Sequence, residues 1–151
     1  MEALGDRTSM VTEAPRSGPR RLLRFEDIEV RQPTPDSFSC RVTLSGPRDR
    51  VFMGEGTSVV LGVASTAAAR ATLRAIEAYA DSRFTLESIR KTPVGGREVI
   101  LVIVTAAGLP RQELAGAVVI HGDESKAAAL AVLDATNRWI ESHNKQGFNP
   151  C

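Results

Sequence analysis

The residues able to do chemistry are few and scattered. The two histidines are His121 and His143. His121 stands two positions before Asp123, and a neighbouring histidine and carboxylate can exchange a proton or ligate a metal. A zinc site needs three or four ligands at suitable spacing, and no such set gathers around this pair. His121 therefore reads as a loop histidine beside a helix cap, and His143 as a solvated residue near a helix end. The two cysteines, Cys40 and Cys151, are far apart. A thiol nucleophile needs a base beside it, and the sequence names none. Cys40 alternates with Phe38 and Val42, as a small buried hydrophobe does. Cys151 ends the chain as an unpaired thiol. This usage argues against a disulfide framework and fits a reduced, cytoplasmic setting.

Three stretches invite an anion-binding reading. Gly54–Glu55–Gly56 lacks the third glycine of a dinucleotide fingerprint, since position 59 is Val59. It also lacks the lysine and hydroxyl of a P-loop. A bulge in an edge strand, or a close approach of two backbones, fits it better. Gly122–Asp123–Glu124–Ser125 opens a helix whose free N–H groups could hold an anion. The charges of Asp123 and Glu124 already occupy that dipole end, so capping is the stronger reading. Arg70, Arg74 and Arg83, with Arg90, Lys91 and Arg97, form a candidate basic patch. Catalytic residues, metal ligands and cofactors are not expected.

The elements that must position these residues come in two matching sets. Residues 24–79 laid on residues 84–139, at a shift of 60 without a gap, repeat the same residue types. Gly56 meets Gly116, Leu73 meets Leu133, Ala75 meets Ala135, and Tyr79 meets Trp139. A fixed-period match means one supersecondary unit used twice. In the first unit Phe25, Ile28 and Val30 lie in an extended stretch ending at Gln32–Pro35. Phe38, Cys40, Val42 and Leu44 alternate with polar residues as a half-buried strand. A turn over Ser45–Asp49 leads to a third strand, Val51 to Val60. A helix follows from about Thr66 to Ala80, with Ser65 or Thr66 as its cap.

The second unit copies this order. Phe84 to Lys91 is extended, with Phe84, Leu86 and, next in the period, Ser88 on one face. Val94–Gly95–Gly96–Arg97 is a hairpin turn. Glu98 to Thr105 is nearly all apolar, which suits a central strand covered on both sides. Leu109–Pro110–Arg111 breaks it, and Glu113 to His121 forms the last strand. Asp123 caps a helix running to about Ser142. The fold class is α+β: tandem, pseudo-duplicated β-β-β-α units whose antiparallel sheets are each covered by one helix. Residues 1–22 read as a flexible arm with a short basic run, residues 23–143 as one domain of two repeats (24–80 and 84–142), and residues 144–151 as a flexible tail. The second face of each sheet needs cover, from the other half or from a second copy of the chain.

Composition supports a globular chain. Hydrophobic residues make up 42% and charged residues 25%, within the ordinary range. The 19 basic and 18 acidic side chains leave a formal charge of +1, which gives no general pull toward nucleic acid or an anionic membrane. No run reaches the ~18–20 apolar residues of a membrane span, and the start has no signal-peptide core.

The second helix, Asp123-x3-Ala127-x-Ala129-x-Ala131-x-Leu133-x-Ala135-x-Asn137-Arg138, resembles the last helix of the C-terminal regulatory domain of 2-isopropylmalate and citramalate synthases. Phe84–Thr85–Leu86–Glu87–Ser88–Ile89 is similar to a strand of that domain. Gly95–Gly96 before an apolar strand, and Gly54–Glu55–Gly56, are similar to its glycine pairs. The family's proline-valine-aspartate step after the glycine pair is replaced here by Thr57–Gly62, and the catalytic barrel is missing. The resemblance implies a duplicated βββα fold that dimerises and binds an amino-acid end-product near the dimer interface.

The expected function is accordingly non-enzymatic: a small-metabolite-binding or regulatory domain, homodimeric, acting on a separate partner protein. Gly54, Gly56, Gly116, Gly122 and Asp123 are the candidate ligand-binding residues, and the ligand class is a small amino-acid-like metabolite. The alternative is a structural assembly module without ligand. Double-stranded RNA binding ranks last, because Asp123 and Glu124 stand where a phosphate-gripping helix would carry lysines.

Overall fold

The computed structural model describes residues 22–58, 63–108 and 110–148. The basic arm through Arg21, the end of the expected third strand at Val59–Val60, and Cys151 lie outside the described residues. Within them the chain runs β1 (Arg24–Thr34), β2 (Ser37–Ser45), β3 (Val51–Ser58), α1 (Ala64–Ala80), β4 (Phe84–Val94), β5 (Arg97–Ala106), β6 (Gln112–Val119) and α2 (Glu124–Phe148). The strands form two antiparallel meanders, β1-β2-β3 and β4-β5-β6. Each packs one face on its own helix, α1 or α2. The α+β class and the duplicated β-β-β-α unit are thus as expected.

Local chemistry explains the elements. Gly95 and Gly96 both take positive φ, 56° and 78°, so the β4–β5 hairpin closes with the twist that flanking strands need. Alternation along β2 sends Cys40, Val42 and Leu44 into the core. Along β5 it sends Ile100, Val102 and Val104. Each such apolar side chain contributes ~1.5–3 kcal/mol on burial. Leu23, the first residue of the expected domain, is fully buried as well.

Two glycine sites set the helix-to-sheet distance. A Cβ on Gly54 would run into the backbone of Ala71 and Ala75, and one on Gly116 into that of Ala131 and Ala135. Gly56 lies against Ala67 and Ala71 in the same way. The alanine-rich faces therefore let each helix lie close on its strand at the positions where glycine leaves out a side chain. The register of β2 with β3 is unbroken, so Gly54–Gly56 is a close backbone approach and the expected bulge is absent.

Several boundaries differ from expectation. Helix α1 starts at Ala64 with Val63 as N-cap and no side-chain capping bond; Ser65 is buried inside it. Asp123 does cap α2, its Oδ1 accepting from the Lys126 N–H at 3.1 Å. Helix α2 continues to Phe148, so 144–148, read as tail, are helical. A bulge between Leu86 and Ser88 moves Ser88 to the opposite face from Leu86.

The two halves meet through α1 against α2, so the sheet-on-sheet arrangement does not occur within the chain. Thr72 and Thr136 are fully buried. Each hydroxyl donates back to its own helix, to Ala68 O at 2.7 Å and Val132 O at 2.9 Å. Among the described residues no helix covers the outer face of either sheet.

Candidate functional site

The unit's repetition makes the outer faces directly comparable. Strand pairing sets Glu29, Arg41 and Glu55 in one row across the first sheet. It sets Arg90, Leu101 and Ala117 in the equivalent row of the second. In the first sheet the row is closed on itself: Arg41 lies 3.6 Å from Glu29 and 3.3 Å from Glu55. In the second, Arg90 has no ion pair among the described residues, and Leu101 is 41% exposed.

The neighbouring rows repeat the contrast. Ser39, Thr43 and Thr57 of the first sheet become Val99, Ile103 and Val119 in the second, and Met53 becomes Ala115. The expectation that β5 is covered on both sides is corrected here. One side meets α2; the other presents Val99, Leu101 and Ile103 outward. The first sheet's outer face is polar apart from Val51 and Met53, so it requires no cover.

An open depression of about 400 Å³ lies in this second face. Leu101, Ile103, Ala115 and Ala117 line its floor, with Ser88 and Arg90 along β4 and Asp134 at the β6 edge. Asp134 is fixed there because it accepts the Ala117 N–H at 3.1 Å. It has no ion pair among the described residues. A cation on one edge, a carboxylate on the other and an apolar floor between them suit a surface that pairs with its own copy, or a zwitterion with an aliphatic side chain.

The expected site residues do not gather here. Gly54 and Gly56 face α1 and Gly116 faces α2, each filled by helix backbone. Gly122 takes a φ of 90° in the loop before α2, and Asp123 is committed to the cap. His121 is exposed on that loop. His143 is exposed, stacked on Trp139 with ring centroids 3.7 Å apart. Burial, and next the charge of Asp123, push the Cys40 thiol up to about 11, which keeps it protonated and unreactive near neutral pH.

The six basic residues separate. Arg70, Arg74 and Arg83 line one groove beside α1. Lys91 pairs with Glu124 at 3.2 Å and Glu98 at 3.7 Å; the hydrogen bond and charge of Glu124, then Glu98, raise its pKa. Arg90 belongs to the outer face, and Arg97 to the hairpin.

Among the described residues no group of three or more His, Cys, Asp and Glu side chains is placed to hold a metal. No helix there is long and apolar enough to cross a membrane. The outer-face residues went unnoticed in the sequence, although their signal was present. At the shift of 60, Ser39-x-Arg41-x-Thr43 lies over Val99-x-Leu101-x-Ile103. Compared with known proteins, the chain matches no family model, and its sequence matches no curated protein.

Proposed function

We propose that the chain is a non-enzymatic regulatory or assembly module that works as a homodimer, two copies meeting through the outer face of the second sheet. One observation carries this reading: the row that is Glu–Arg–Glu in the first sheet is Arg–Leu–Ala in the second. Exposed, contiguous apolar surface of this kind marks an interaction site. A two-fold axis along the strands lays the β4 edge of one copy over the β6 edge of the other. Arg90 then opposes Asp134 twice, which satisfies both unpaired charges and fixes the register. Sheets stacked this way are nearly aligned, as sheet pairs prefer.

The face is small. Three strands ~4.8 Å apart and about seven residues long at ~3.4 Å cover only ~14 by ~24 Å. That is below the ~800 Å² per partner of a standard interface, so the dimer is concentration-dependent. Light-scattering mass over a concentration series checks this: the expected result is a climb from one chain toward two. A single-chain mass throughout contradicts it.

A second reading has its own support in the depression. Arg90 suits a carboxylate, Asp134 an ammonium, and the Leu101–Ala117 floor an aliphatic side chain, which is the outline of a small amino acid. The resemblance to amino-acid-sensing regulatory domains points the same way. A thermal-shift panel of amino acids and keto acids separates the readings. Binding raises the melting temperature with the logarithm of ligand concentration, whereas a flat response leaves assembly alone.

A further inference from the structure

We infer that the groove between α1 and the start of β4 is a binding site for a small phosphate-type dianion. Arg70, Arg74 and Arg83 line a volume of about 390 Å³, together with Glu77 and Thr85. Arg70 and Arg74 are four residues apart on one helix, so their side chains project side by side. Arg83 reaches the same groove from the connector to β4.

The one carboxylate lining the groove among the described residues is already committed. Glu77 accepts the Phe84 N–H through Oε2 at 2.8 Å and holds Arg74 through Oε1 at 3.2 Å. It therefore positions Arg74 and cancels one charge of three. Arg70 is anchored by Nη1, which donates to the Thr57 carbonyl at 2.8 Å, and its remaining N–H groups are free of that bond. Arg83 makes no ion pair among the described residues. Two net positive charges and several free N–H donors remain. Planar guanidinium forks match a tetrahedral oxyanion in pairs, and a phosphate group carries about −1.5 to −2 charge near neutral pH.

The fold itself does not demand this cluster. At the shift of 60, Arg70, Arg74 and Glu77 correspond to Leu130, Asp134 and Asn137. The second half thus keeps the architecture without the cations. The groove also lies where the first helix meets the first strand of the second half. A dianion there would tie the two halves together.

Isothermal titration of the full chain with inorganic phosphate, against chloride of matched ionic strength, tests the site. The expected result is saturable binding of one phosphate per chain. Arg83→Gln and Arg70→Gln should each weaken it about tenfold or more, the worth of a charge-assisted contact. Arg90→Gln and Leu101→Arg, on the other face, should leave it unchanged, so failure here is distinguishable from failure of the dimer. Absence of saturable heat overturns the proposal. So does unchanged affinity in Arg83→Gln, a variant that breaks no side-chain hydrogen bond or ion pair among the described residues and whose folding is checked by circular dichroism.

Discussion

The first sheet turns Glu29, Arg41 and Glu55 to the outside; the second, built on the same plan, turns out Arg90, Leu101 and Ala117. The inner faces of the two sheets are alike, because both must lie against an alanine-rich helix. The outer faces are not, because the fold places no demand on them. What the fold requires is thus repeated, and what function requires is free to diverge. The charged face satisfies itself by cross-strand pairs. The apolar face is left with exposed leucine and valine, and Arg90 on it has no ion pair among the described residues.

If the inner faces are equivalent, core truncations should cost the same in both halves. Leu133→Ala and Leu73→Ala are each expected to lose ~2–5 kcal/mol in urea unfolding. A harmless Leu73→Ala beside a severe Leu133→Ala would break the equivalence. A smaller loss, ~1–3 kcal/mol each, is expected for Gly54→Ala and Gly116→Ala, since both place a methyl against helix backbone. The caps sharpen the comparison by differing. Asp123→Ala should lose ~0.5–2 kcal/mol, whereas Ser65→Ala removes no cap, because α1 has no side-chain capping bond.

The effect that vanishes at neutral pH concerns Cys40, whose counterpart at the shift of 60 is Ile100. Its folded pKa of about 11 exceeds the ordinary thiol value of 9.0, so above the unfolded pKa the unfolded chain releases the proton first. Stability from this group is complete below about pH 9 and falls as pH rises toward about 11. Cys40→Val should flatten that part of the pH profile. An identical alkaline profile in both proteins would show that the thiol is not held in its neutral form.

Much of the fold was legible in the sequence, because periodicity and repetition both report on burial. Strand β2 and helix α2 show their inner faces as period-two and helical spacings. The match of Gly56 with Gly116 was misleading, however. By strand partner and helix contact, Gly116 corresponds to Gly54: Gly54 pairs with Val42, and Gly116 with Val102. From Leu44 to its partner Phe52 is eight residues, and from Val104 to Leu114 ten. The second half recovers those two residues before its helix. Two compensating length changes leave no gap in an ungapped alignment.

Bulges are equally silent in sequence, yet they too are repeated. Glu26 sits in the β1 bulge and accepts from Ser45 Oγ at 2.5 Å, and Glu87 in the β4 bulge accepts from Thr105 Oγ1 at 2.9 Å. The candidate site was missed for a different reason. Glycines and a histidine–aspartate pair attract notice as chemistry, and in the structure Gly54, Gly56 and Gly116 serve packing, Gly122 a loop of positive φ, and Asp123 capping. The informative residues were ordinary ones, Leu101 and Ile103, whose meaning appears only against Arg41 and Thr43.

The central claim is that the outer row of the second sheet joins two copies of the chain. The direct test transplants the first sheet's row into the second with Arg90→Glu, Leu101→Arg and Ala117→Glu together, and follows sedimentation mass against concentration. The account predicts a native chain that rises toward twice the single-chain mass and a folded triple variant that stays at one chain throughout. A triple variant that associates as strongly as the native chain would contradict it.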